Sequence, residues 1–180
     1  AFLLSQGLSR VARVMCEEGE LGFYRVLLDW YILLVVRSVP IEVAAVVDIE
    51  RDKAQAVADL IEGDVLVETD YRQIFDRIDA ALVVLPHHLH HPATLDCLRA
   101  GKHVLCEKPM ATSLGECHEM MTVAQRNDVK VAIAHQRRFN SAWTDARQLI
   151  AEGAIGEPRQ FQIVCRDGQG LLNVGTTCSI

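Results

Sequence analysis

Glu107-Lys108-Pro109 brings together side chains suited to holding an alcohol and handling its proton. A lysine ammonium at a strand's carboxyl end can donate to a substrate hydroxyl and stabilise negative charge developing on oxygen. Glu107 can orient that lysine, and Pro109 fixes the backbone so that Lys108 is presented and not drawn into the next helix. An exposed lysine on an ordinary loop is the alternative reading. Upstream, Pro86-His87-His88-Leu89-His90-His91 places four histidines within five positions. Neutral imidazole is a common zinc ligand. However, no Cys, Asp or Glu lies among these histidines, and adjacent loop histidines seldom converge on one ion, so no metal is expected.

The segments around these residues read as a βαβ unit. Ala80–Leu85 and His103–Cys106 are short Val- and Leu-rich runs, each stopped by a Pro-containing or charged loop, as buried parallel strands are. Between them, Pro92–Ala100 reads as a short helix, with Gly101 where a left-handed residue is wanted. In an open parallel sheet, ligands bind outside the carboxyl ends of the strands, so both chemically unusual loops would face one crevice.

Other elements extend this alternation. Strands are expected at Val11–Cys16, Ile41–Val47, Val65–Val67 and Val129–Ala134. Helices are expected at Phe23–Val36, Asp52–Ile61, from Thr69-Asp70-Tyr71 through Phe75, and at Ser113–Asn127. The last has Ser113 as cap and Glu116 three residues on, a capping box. A helix over Ala142–Ala151 and a strand from Gln160 follow. The pattern predicts an α/β chain: a Rossmann-type doubly wound parallel sheet over residues 1–135, then the incomplete start of a second α+β domain over 136–180.

Composition narrows the function classes. A chain of 180 residues that is 50% hydrophobic buries a sizeable core, and a net charge of −6 argues against a nucleic-acid or polyanion surface. The longest apolar patch, around Ile32–Val36, is too short to cross a bilayer. Six cysteines without CxxC pairs favour reduced, mostly buried thiols in a cytoplasmic protein.

The run Leu85-Pro86…Leu89-His90, followed by Ala100-Gly101-Lys102-His103-Val104-Leu105-Cys106-Glu107-Lys108-Pro109, resembles the Gfo/Idh/MocA family of NAD(P)-dependent sugar and polyol oxidoreductases. The likeness covers about residues 41–176. It implies hydride transfer between NAD (or NADP) and a sugar, polyol or related hydroxy compound. Lys108 would bind substrate and handle its proton, and Glu107 would orient Lys108 or reach the cofactor ribose. Pro86 would shape the turn on the nicotinamide side, His90 would start the following helix, and Arg138 would lie near the cofactor. Asp48 would accept hydrogen bonds from the adenosine ribose and repel a 2′-phosphate, favouring NAD, although Arg51 softens that exclusion. Capping of the helix near Asp52 is the alternative for Asp48.

The same resemblance puts a glycine-rich phosphate turn after the first strand. Gly19 and Gly22 fill its second and third positions, but Glu17 takes the first, and Glu18 and Glu20 add like charge where bare N–H groups are wanted. An ordinary acidic turn is the other reading. Near the end, Asn173 and Thr177 stand where the family carries an Asp and a general-base His, and no His follows His135. A threonine hydroxyl cannot take up a proton usefully near neutral pH. The chain starts without Met and stops where family members continue into a substrate-binding sheet, so a C-terminally truncated homologue is expected. The alternative to an oxidoreductase is a non-catalytic dinucleotide-binding or regulatory homologue, or an inactive fragment. A small-molecule partner is expected, with neither nucleic acid nor membrane, and a homo-oligomer where the second domain is complete.

Overall fold

The computed structural model describes residues 10–15, 41–165 and 174–179. Six strands form one sheet: β1 (Arg10–Met15), β2 (Glu42–Val47), β3 (Leu66–Glu68), β4 (Ala80–Val84), β5 (His103–Cys106) and β6 (Val131–Ile133). Their order is β3-β2-β1-β4-β5-β6, and every pairing is parallel. The order reverses between β1 and β4, and such a switch point is where an open parallel sheet takes its ligands.

Strand β2 shows why the sheet is covered on both faces. Val46 and Val47 are adjacent, so their side chains leave opposite faces, yet they are 0% and 1% exposed. Val46 packs with Ala54 and Ala58 of helix α1 (Arg51–Ala58) and with Val67. Val47 joins a larger cluster with Val83, Val104, Leu98 of helix α2 (His87–Arg99) and Met120 of helix α3 (Leu114–Arg126). This is the doubly wound arrangement the buried apolar runs require.

The local signals at the helix ends hold. Ser113 accepts from the Glu116 amide at 3.3 Å, and the Glu116 carboxylate takes the Ser113 amide at 3.0 Å, closing the capping box of α3. Gly101 follows α2 at φ +74°, a conformation glycine adopts without a Cβ penalty. The segment opened by Asp70 is a 3-10 helix over Tyr71–Arg77, capped by the Asp70 side chain on the Arg72 amide at 3.0 Å.

One boundary is corrected. Helix α2 begins at His87, not at Pro92, and Pro92 lies inside it. Proline is favoured at a helix's first position, which made Pro92 look like the start. Pro86 instead takes the cap position, with its carbonyl accepting from the Leu89 amide at 2.8 Å. The carbonyl that Pro92 cannot serve belongs to exposed His88. Helix α1 is also shorter than the expected Asp52–Ile61, because Leu60 and Ile61 tighten into i→i+3 bonds after Ala58.

The chain divides into two units, Ala1–His135 and Gln136–Ile180. The second contains a 3-10 turn at Gln136–Phe139, helix α4 (Ser141–Ala151), and an antiparallel pair, β7 (Gln160–Cys165) with β8 (Val174–Ser179). Among the described residues, no helix is long and apolar enough to cross a membrane.

Candidate active site

The carboxyl ends of β4 and β5 position four of the eight expected site residues: Pro86, His90, Glu107 and Lys108. Glu107 follows β5 directly, and its amide donates to the Val83 carbonyl at 2.9 Å, continuing the β4–β5 ladder by one residue. The Glu107 carboxylate accepts the Lys108 amide at 3.0 Å. Lys108 is exposed, so its ammonium extends from the end of the sheet. The Lys108–Pro109 peptide bond is cis. Pro86 is half-buried at the turn after β4.

His90 differs most from its expected place. It lies in the first turn of α2 and is 1% exposed. Its Nδ1 is 2.6 Å from the Pro109 carbonyl and its Nε2 is 2.7 Å from the Leu85 carbonyl. A ring enclosed and engaged at both nitrogens has no donor left for a ligand. The other histidines diverge: His87 and His88 are exposed, and His91 Nε2 pairs with Glu119 Oε2 at 3.0 Å. Among the described residues, no group of three or more His, Cys, Asp or Glu is placed to hold a metal ion.

Asp48 follows β2 at the same end of the sheet. Its Oδ1 accepts the Glu50 amide at 2.8 Å, and its own amide donates to the Glu68 carbonyl at 3.2 Å. It is not the cap of α1, a position held by Glu50 without a side-chain bond. Asp48 is wholly buried. Gly19 and Gly22 lie outside the described residues, as do Glu17, Glu18, Glu20 and Asn173. Arg138 belongs to the second unit, where it lines a groove of about 420 Å³ with Trp143, Thr144 and Arg147. Thr177 lies within β8, opposite Gln162.

Tyr71, which carried no chemical expectation, helps to anchor α2. Its hydroxyl donates to Asp96 Oδ2 at 2.9 Å, and Arg72 Nε donates to the same oxygen at 3.2 Å. Burial, reinforced by the hydrogen bond to Asp96, pushes the Tyr71 hydroxyl up to about 12. Its partner lies 25 positions away, beyond the reach of a local sequence pattern. Behind the β4 and β5 ends, burial likewise pushes the Cys97 and Cys106 thiols to about 12. Both cysteines are free, as is Cys117.

Residues 29–135, more than half of the chain, match the family model described as an oxidoreductase family with an NAD-binding Rossmann fold. A 1,5-anhydro-D-fructose reductase of Ensifer adhaerens is 43% identical over 81 residues, covering 45% of this chain and 24% of the relative. Inositol 2-dehydrogenase 1 of Saccharopolyspora erythraea is 31% identical over 133 residues, or 72% of this chain and 39% of the relative. The crystal structure of an aldose-aldose oxidoreductase from Caulobacter crescentus, complexed with glycerol, superposes with a TM-score of 0.70 at 27% identity. That match covers 83% of this chain and 44% of the other. The chain thus spans less than half the length of each of these proteins. The switch in strand order, the β5-end lysine and the extent of the family match lead to one assignment: the chain belongs to the Gfo/Idh/MocA oxidoreductase family, of NAD-binding Rossmann fold.

Proposed function

We propose that this chain is the dinucleotide-binding part of an oxidoreductase that passes hydride between NAD and a sugar, polyol or related hydroxy compound. The observation that carries the reading is the placement of Lys108: exposed, at the carboxyl end of β5, one strand from the reversal between β1 and β4. The relatives named for inositol and anhydrofructose chemistry support the substrate class.

The donor set fits a dinucleotide. An acidic residue, Asp48, ends β2 where a ribose would lie, and a cation stands at the reacting end of the crevice. Bound nicotinamide supplies the hydride acceptor or donor. Lys108 Nζ donates to the substrate oxygen and stabilises the charge that develops as the C–H bond breaks or forms. In the reducing direction its ammonium donates to the carbonyl oxygen; in the oxidising direction it holds the hydroxyl oxygen. Glu107, bonded to the Lys108 amide, keeps that residue at the strand end. Asp48 accepts from the ribose and disfavours a 2′-phosphate. Gly19 and Gly22 would meet the pyrophosphate, Pro86 would shape the nicotinamide side, and Arg138 would lie near the cofactor. We propose further that the protein forms a homo-oligomer, acts in the cytoplasm on a small molecule, and engages neither nucleic acid nor membrane.

A non-catalytic dinucleotide-binding homologue is the second reading, favoured by Asn173 and Thr177 standing where the family carries its Asp and His. Calorimetry with NAD and NADP, followed by a screen of polyols and sugars, separates the two. NAD binding with turnover supports the oxidoreductase, NAD binding without turnover supports the second reading, and no binding of either cofactor removes both.

A further inference from the structure

The two turns beside Lys108 are joined through a buried ring. His90 is 1% exposed, with Nδ1 2.6 Å from the Pro109 carbonyl and Nε2 2.7 Å from the Leu85 carbonyl. Leu85 precedes the Pro86 turn, and Pro109 follows Lys108 directly. We propose that His90 is a positioning residue whose ring ties the turn after β5 to the turn after β4, and so sets the place from which Lys108 extends. The catalytic consequence rests on the role proposed for Lys108; the structural tie does not.

The other anchors of this segment show what the ring adds. The Glu107 amide is held by the Val83 carbonyl, and the Thr112 amide is held by Glu116 Oε2 at 2.9 Å. Between them, the Lys108 amide bonds only to its neighbour Glu107. Met110 and Ala111 return to the core through apolar packing, which is not directional. Among the described residues, the His90 contact is the one hydrogen bond that ties Lys108 to Ala111 to another element.

Carbonyl oxygens only accept, so a ring nitrogen bonds the carbonyl it faces where it carries a hydrogen: one of the two in the neutral imidazole, both in the cation. The Leu85 contact is buried and the Pro109 contact partly so, and a carbonyl left without a donor costs more the deeper it lies. A small displacement of Lys108 would matter because misplacing a reacting group by about 1 Å can cost on the order of 100-fold in rate.

The test compares three variants of the protein with wild type. His90→Phe keeps a ring but removes both ring nitrogens. His90→Asn retains a donor near Nδ1, facing Pro109, and His90→Gln retains one near Nε2, facing Leu85. Amide hydrogen exchange is followed at Lys108 and Met110 and compared with exchange in β4 and β5, alongside kcat and the Kd for NAD. In His90→Phe, exchange at Lys108 and Met110 is expected to rise by about tenfold or more while both strands stay protected. The kcat is expected to fall about 10- to 100-fold with NAD affinity retained, and His90→Asn is expected to recover more than His90→Gln. The proposal is overturned if His90→Phe leaves loop exchange unchanged, or if strands and loop loosen together with His90→Asn no better than His90→Gln. If His90→Phe does not fold, the contrast between Asn and Gln decides. A wild-type protein without turnover would defeat the hydride-transfer reading, and the exchange data would still decide the tie.

Discussion

The Glu107 amide donates to the Val83 carbonyl at 2.9 Å, one residue beyond the end of β5. That bond prolongs the ladder to the residue before Lys108, so the lysine leaves from the edge of a rigid sheet. Sites built on strands are held more closely than sites on loops.

Lys108→Ala should therefore remove chemistry without disturbing the fold. The side chain is exposed, so the urea midpoint should stay near that of wild type. The kcat for a polyol or sugar substrate should fall by about 10²- to 10⁴-fold, the range for a positioned acid–base group. Steady-state kinetics with calorimetric NAD binding checks this, and unchanged kcat would remove Lys108 from the mechanism.

Asp48 is buried and serves the Glu50 amide, so its two substitutions should differ. Asp48→Ala leaves that amide without its acceptor and should cost about 1–3 kcal/mol of stability. Asp48→Asn keeps an acceptor while removing charge, so it should fold nearly as well. It should also raise affinity for NADP relative to NAD by about tenfold. Urea unfolding and paired cofactor titrations distinguish the structural share from the cofactor share.

Alkaline conditions should weaken the fold through Cys97, Cys106 and Tyr71. Burial is the main cause in each case, raising the thiols from 9.0 to about 12 and the tyrosine from 10.0 to about 12. The unfolded chain releases these protons at lower pH than the folded one. Stability from this source is present in full below about pH 9 and is lost as pH rises towards about 12. Urea midpoints across pH 7 to pH 10.5 should decline, and Cys97→Ala with Tyr71→Phe should flatten the decline. At pH 7.5, iodoacetamide should modify Cys117 before either buried thiol.

The capping box of α3 should give the acid limb. Hydrogen bonds from the Thr112 hydroxyl, then from the Thr112 and Ser113 amides, hold Glu116 below its ordinary value of 4.5. A lowered folded value means the contribution is present above the unfolded value and is lost as pH falls through the folded one. Ser113→Ala should cost about 1 kcal/mol at neutral pH. Glu116→Gln should flatten the loss between pH 5 and pH 3 in urea titrations at each pH.

Much of this protein was legible along the chain because the signals are local. Short β-branched runs mark strands buried on both faces, Ser113 with Glu116 marks a helix start, and Gly101 marks a helix end. The Gly-Lys-His-Val…Glu-Lys-Pro stretch carried the family resemblance and placed Lys108 at a strand's carboxyl end. Only the tertiary structure decided what the other polar residues do. His90 stands in a run of histidines like its neighbours, yet it alone of the four is fully enclosed, because its partners include a carbonyl 19 positions away. Tyr71 finds Asp96 at a separation of 25. Asp48 at the end of β2 was legible as an acidic residue at the right edge, but not as a buried one. Sequence patterns report propensity and period over a few residues. Burial and hydrogen-bond partnership arise where distant segments are packed together, and the fold fixes that packing as a whole.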